Sequence, residues 1–271
     1  MILSHVADTL AAQGQGEEDD LLLARDAAPF YLKLSESLLR QTPGHTGLAE
    51  SVAGGFTQYA YAFVAFEADR IERNDARAAQ RMRERAARLY ERGHLHAMKA
   101  LEQEQPGLRD SLAKGQGPVR IPESKVGLVY WAAASWAAAI SLSKDRPDVV
   151  ADLPLAVALA QAAYATDPSH GRGALASLLG TLEASRPGGT RTQALAYFEQ
   201  ALRHAGPSSA AVYVAMAEAL AQPAGDRADF ERWLRLALQP PAEGSARPTD
   251  LGSRVMIERA RWLLASIDDL F

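Results

Sequence analysis

Cysteine is absent, so disulfides, thiolate metal sites and a cysteine nucleophile are excluded, and any chemistry must come from histidines, hydroxyls, carboxylates and cations. His94 and His96 form a closely spaced pair. Two residues apart on a helix, their side chains diverge by about 200°, which does not suit one metal ion. Ser143-Lys144-Asp145 carries capable groups, but adjacency supplies neither an activated nucleophile nor an oxyanion hole, and a helix end explains the same residues. His170-Gly171-Arg172-Gly173 has the glycine spacing of a phosphate loop without the following Gly-Lys-Ser/Thr or a preceding strand, and reads as a turn between helices. The expectation is a noncatalytic chain with no metal and no cofactor.

Binding residues are easier to find. The stretch Gly54 to Phe66, GGFTQYAYAFVAF, alternates Tyr59, Tyr61 and Phe63 with alanine as a half-buried strand would. Phe56, Tyr59, Phe63 and Phe66 equally form a helical stripe, and the runs on either side favour helix. Downstream, Trp131 and Trp136 lie in an apolar segment that ends near Lys144. Together Tyr59, Tyr61, Phe63, Trp131, Trp136 and Lys144 are the candidate ligand-binding set. An apolar cavity with phenolic tips and a cation at its mouth would suit an organic acid with a hydrophobic body. The competing reading makes the same aromatics plain core that holds helices together.

A net charge of −4 argues against a nucleic-acid partner. The local exception is basic: Arg70, Arg73, Arg77, Arg81, Arg85, Arg88 and Arg92 recur at three- and four-residue steps, interspersed with Glu72, Asp75, Glu84 and Glu91. A solvated face laced by intrahelical ion pairs is one reading of this stripe, and a docking or anion-attracting surface is the other.

Nearly every segment has helical spacing, and the breaks carry proline or glycine. Helices are predicted near 21–41, 46–71, 74–103, after Pro106, and near 125–144, 148–166, 170–184, 191–205, 208–221, 226–238 and 249–267. Val126 to Pro154 would be the central helix, since its apolar residues leave no polar face and its alanines allow close approach. No apolar run reads as long enough to span a bilayer. The polar opening, residues 1–20, reads as a disordered tether and 21–271 as a single all-helical domain, with 115–122 the longest non-helical piece inside it. Ala194, Phe198 and Ala201, with Leu179-Gly180 before them and Pro207 after, match a degenerate tetratricopeptide pattern. Ala156, Ala160, Ala163, Tyr164 and Pro168 give a weaker copy. The predicted fold is therefore all-α, an alpha-solenoid of antiparallel helix pairs.

Four segments carry a more specific likeness: GFTQYAYAFV at 55–64, YWAAASWAAAISLSKDRPDVVADLP at 130–154, FEQAL at 198–202, and the closing RARWLL and DLF at 259–264 and 269–271. In this order they resemble the TatT family, the tetratricopeptide-type component associated with TRAP (tripartite ATP-independent periplasmic) transporters, from about Leu21 onward. The resemblance implies a periplasmic lipoprotein that oligomerises and associates with the transporter's solute-binding protein. A homotrimer is the preferred state, and an organic acid agrees with the carboxylate substrates of such systems. Family members carry a lipidated cysteine after a signal peptide, which this chain lacks, so a membrane link would run through an anchor on a native precursor. The alternative is a peptide- or protein-binding repeat scaffold without a transport role.

Overall fold

The computed structural model describes residues 2–13, 20–115, 119–240 and 250–271, and every regular element among them is helical. The chain divides into two compact units, one of Asp20–Asp167 with the N-terminal segment, the other of Pro168–Phe271. The first holds α1 (Ile2–Gln13), α2 (Leu21–Gln41), α3 (Thr46–Ala60), α4 (Phe66–Ile71), α5 (Ala76–Glu104), α6 (Leu108–Lys114), α7 (Val126–Ser141), α8 (Pro147–Val150) and α9 (Leu153–Thr166). Residues 2–13 of the expected tether thus belong to a helix, which packs on α3 and α2. Its acidic part, 17–19, lies outside the described residues.

Local chemistry sets the boundaries. Asp20 accepts hydrogen bonds from the backbone N–H of Leu22 and Leu23, and Asp75 from that of Ala78, contacts each worth about 1 kcal/mol at a helix start. His45 caps α3 less conventionally: its Nδ1 accepts from Leu48 N–H at 3.0 Å, so Nε2 carries the proton and donates to Asp8 of α1 at 2.9 Å. One imidazole therefore starts α3 and ties α1 to it.

As expected from its composition, α7 is central, packing on α3, α5 and α9. Ala132, Ala133 and Ala139 are buried along it. Small residues decide how close the helices come. A Cβ on Gly93 of α5 would lie 3.0 Å from the Ala53 carbonyl oxygen of α3, and one on Gly54 would lie 2.8 Å from the Trp131 ring. Pro147–Thr166 is, contrary to the sequence expectation, long and apolar enough to cross a membrane by length and composition. It is broken between α8 and α9, however, and α9 sets Ala156, Leu159, Ala160 and Ala163 in the core.

The predicted helix 46–71 is interrupted by a π-helical turn, Tyr61–Ala65, where Phe66 N–H bonds the Tyr61 carbonyl instead of that of Ala62. The extra residue shifts the following side chains by about 100° around the axis. The segment 115–122 is anchored at its far end: Ile121 is buried, and its carbonyl accepts from Thr166 Oγ1 at 2.9 Å.

The second unit contains α10 (His170–Ser185), α11 (Arg191–Ala205), α12 (Ala210–Met216), α13 (Arg227–Ala237), α14 (Leu251–Ala265) and α15 (Ile267–Leu270). A second π turn, Ala217–Ala221, prolongs α12. The sequence Gly171-Arg172-Gly173 is left-handed at all three residues, with φ of 60°, 52° and 88°, and so forms a turn ahead of the regular part of α10. A Cβ at Gly173 would lie 2.5 Å from the Ala201 carbonyl oxygen. Glycine is required there on both counts. In the α10–α11 hairpin the Phe198 ring lies on Gly180, with ring carbons 3.0 Å from where a Cβ would sit. Small residue and aromatic thus meet across this one hairpin. At the C-terminus Phe271 packs edge-on against the buried Phe230, centroids 5.1 Å apart.

Candidate functional site

The six aromatic and basic candidates fall into separate neighbourhoods of the first unit. Tyr59 and Tyr61, half-buried, pack against a cluster of Ala60, Val64, Ala86, Tyr90 and Ala139, and Phe63 lies 5.7 Å from Tyr59 between ring centroids. Alanines of α5 and α7 leave room for these rings at the π turn. Arg85 places its guanidinium 5.9 Å from the Tyr59 ring centre. Leu142, at the end of α7, reaches the same cluster, and Lys144 follows it into solvent.

The tryptophans point elsewhere. Trp131 lies over Gly54 of α3, with Tyr130 edge-on at 4.8 Å. Burial pushes the Tyr130 phenol up to about 12. Trp136, 4% exposed, packs on the His94 imidazole at 4.3 Å, and Arg109 covers its ring at 5.1 Å. Arg109 in turn pairs with Asp152 at 2.8 Å. His94 Nδ1 donates to the Ala132 carbonyl at 3.0 Å. Burial, aided by the positive Arg109 and opposed by that hydrogen bond, lowers its pKa to about 4. This imidazole is a neutral packing element. His96, two residues on, faces α2 instead, as the helical spacing predicts.

The most concentrated polar constellation is one that sequence reasoning missed. Glu36 of α2 has a side chain only 3% exposed, yet four basic side chains converge on it. Arg92 donates to both oxygens, Lys33 Nζ lies 2.7 Å from Oε2, His96 Nε2 2.8 Å from Oε1 and Arg40 3.4 Å from Oε2. Burial disfavours the carboxylate, but hydrogen bonds from Arg92, Lys33 and His96 outweigh it and hold the group well below the usual carboxylate range. Phe56 supports the assembly, stacked on His96 at 6.3 Å and lying under Arg92 at 5.0 Å. One signal was available: Glu36 shares a helical face with the apolar Leu32 and Leu39 and has Lys33 and Arg40 at three- and four-residue spacing. Its partners on α5 were not readable from α2.

Arg70 and Arg73 precede α5 rather than continuing its stripe. Arg70 lies beside Glu67 at 4.0 Å. Arg83, off the stripe, is held instead by Glu72 and Asp69 across the turn at 2.7 and 3.0 Å. On the stripe itself Arg77, Arg81 and Arg88 have no ion-pair partner among the described residues. The expected intrahelical pairs thus do not neutralise it.

In the first unit, another carboxylate lies at a close helix contact. Glu50 of α3 occupies the space in front of Gly127 of α7, its Oε1 2.2 Å from where a Cβ would be. Burial raises its pKa against the pull of Lys125. In the second unit, Glu218 of the π turn receives the nearly buried Arg259 through both oxygens.

Helices locked by buried ion pairs, aromatics half-open along one turn and an unneutralised basic face characterise an all-helical protein as the class. The chain belongs to the TRAP transporter T-component family, whose pattern matches residues 17–271. It is similar to an uncharacterized protein of Treponema pallidum, with 30% identity over 277 residues covering 99% of this chain and 85% of that one. Membership assigns an accessory role in TRAP transport and points to the periplasm.

Proposed function

We propose that this protein is a periplasmic accessory that self-associates as a trimer, docks the solute-binding protein of a TRAP system, and holds or passes a small, partly hydrophobic carboxylate. It is lipid-anchored and acts without catalysis. The family match over 17–271 carries this reading. The ligand part is supported by Tyr59, Tyr61 and Phe63, which gather at the π turn with their rings only partly buried. Trp131 lies apart from them, over Gly54 of α3. Trp136 is the member whose surroundings best fit a structural support, because His94 and Arg109 already cover its ring.

Titration calorimetry of the chain with a TRAP solute-binding protein from the same organism tests the docking. Saturable binding is expected. Heat no larger than dilution at micromolar concentrations would sink the reading. For the ligand, Tyr61→Phe should leave unfolding nearly unchanged and weaken binding of a medium-chain carboxylate several-fold, whereas equal binding by both proteins counts against a pocket there.

A further inference from the structure

The exposed face of α5 carries a charge problem. Arg77, Arg81, Arg85, Arg88, Arg92 and Lys99 all fall within an arc of roughly 80°, over a length of roughly 33 Å. Like charges four residues apart, as at 77/81, 81/85 and 88/92, repel on a helix. Arg77 also sits in the first turn, which holds no acidic residue, at the end where the helix dipole disfavours a cation. Glu84 and Glu91, the acidic residues of α5 before Glu102, lie at the edge of the arc, and Glu84 accepts from Gln80. Folding alone gives no reason for such a row.

At its middle the row is prearranged. Buried Glu36 fixes Arg92 from α5 together with Lys33 and Arg40 from α2, while the cations stay 40–57% exposed. One negative charge thus holds three positive ones and leaves a surplus facing solvent. Phe56 under Arg92 and Tyr59 near Arg85 restrict two of the guanidinium groups further.

We infer that this face, Arg77 to Lys99 with Lys33 and Arg40, docks an acidic surface of a protein partner. Five of the six cations in the row are arginines, whose planar forks match carboxylate pairs better than ammonium groups do. A lipid surface fits less well. The opposite face of α5 is committed to the core through Ala79, Ala86, Tyr90, Ala97 and Leu101, so the helix offers only Leu95 as an exposed large apolar side chain to embed. A strip of this length matches one partner of a standard protein interface. That the partner is the solute-binding protein rests on the function proposed above.

The test uses the full chain, the double variant Arg81→Glu/Arg88→Glu and the control Arg203→Glu on α11, each checked for helicity by circular dichroism. Arg81 and Arg88 have no ion-pair partner to strand among the described residues, so folding should be intact. Binding to the solute-binding protein and to poly-glutamate is measured at 50 and 300 mM salt. The wild type should weaken at least tenfold with salt. The double variant should bind both probes at least tenfold more weakly at low salt, with the control unchanged. Equal binding of the solute-binding protein by wild type and double variant overturns the face while leaving the docking reading in place. No binding of that protein, with salt-dependent poly-glutamate binding lost in the double variant, sinks the docking reading and keeps the acidic-partner face. Failure to bind poly-glutamate, or tighter binding to vesicles of phosphatidylglycerol and phosphatidylcholine than to either acidic probe, overturns the inference.

Discussion

His94 and Glu36 show how the same fold holds one titratable group neutral and another charged. Because the His94 pKa falls from 6.5 to about 4 on folding, the unfolded chain binds the additional proton between those values. The stabilisation from keeping it neutral is fully present above pH 6.5 and is lost as pH falls toward 4, a change of roughly 3 kcal/mol from this residue. Urea unfolding at pH 7.5 and 4.5 should show most of that loss in the wild type, and His94→Gln should show a smaller difference between the two pH values. An unchanged difference would contradict the assignment. Glu36 contributes with the same sign in a lower window: its depressed pKa keeps the carboxylate charged where the unfolded group would protonate, so its stabilisation is present above about pH 4.5 and is lost as pH falls further. Glu36→Gln leaves Arg92, Lys33 and Arg40 without their counter-charge and should cost about 3 kcal/mol in the same assay.

Contacts between elements turn on whether the crowding atom can move. Gly54→Ala places a Cβ against the Trp131 ring, a side chain able to tilt, whereas Gly93→Ala places one against the Ala53 carbonyl, which belongs to a helix backbone. Alanine would favour either helix by about 1 kcal/mol on propensity. Gly93→Ala should nonetheless destabilise by about 2 kcal/mol. Gly54→Ala should fall nearer neutral and shift tryptophan fluorescence. Thermal unfolding with emission spectra separates the two cases. Trp136→Ala empties a site enclosed by His94 and Arg109 and should cost about 3 to 5 kcal/mol. A loss below 1 kcal/mol would show that the ring is not a core support.

For the whole molecule the expected assembly is a trimer, so light scattering after gel filtration should give roughly 88 kDa from chains of 29.2 kDa. A mass near one chain across micromolar concentrations would contradict it. Most helices were legible because apolar spacing, proline, glycine and capping residues act locally: α2 and α11 begin and end at the predicted residues, and the all-apolar α7 could only be central. The π turn at Tyr61–Ala65 was not legible, since a widened turn costs little locally and is selected by the packing of neighbouring helices. That turn determines which way Tyr61 and Phe63 face. The separation of Trp131 from Trp136 was foreshadowed by the roughly 140° between them on a helix, but whether each meets glycine or histidine depends on α3 and α5. Glu36 makes the same point most clearly. Its charge and helical face are written within α2, while Arg92 and His96 lie 56 and 60 residues away, and only chain folding brings a carboxylate and its cations close enough for Coulomb attraction to exceed the cost of burial.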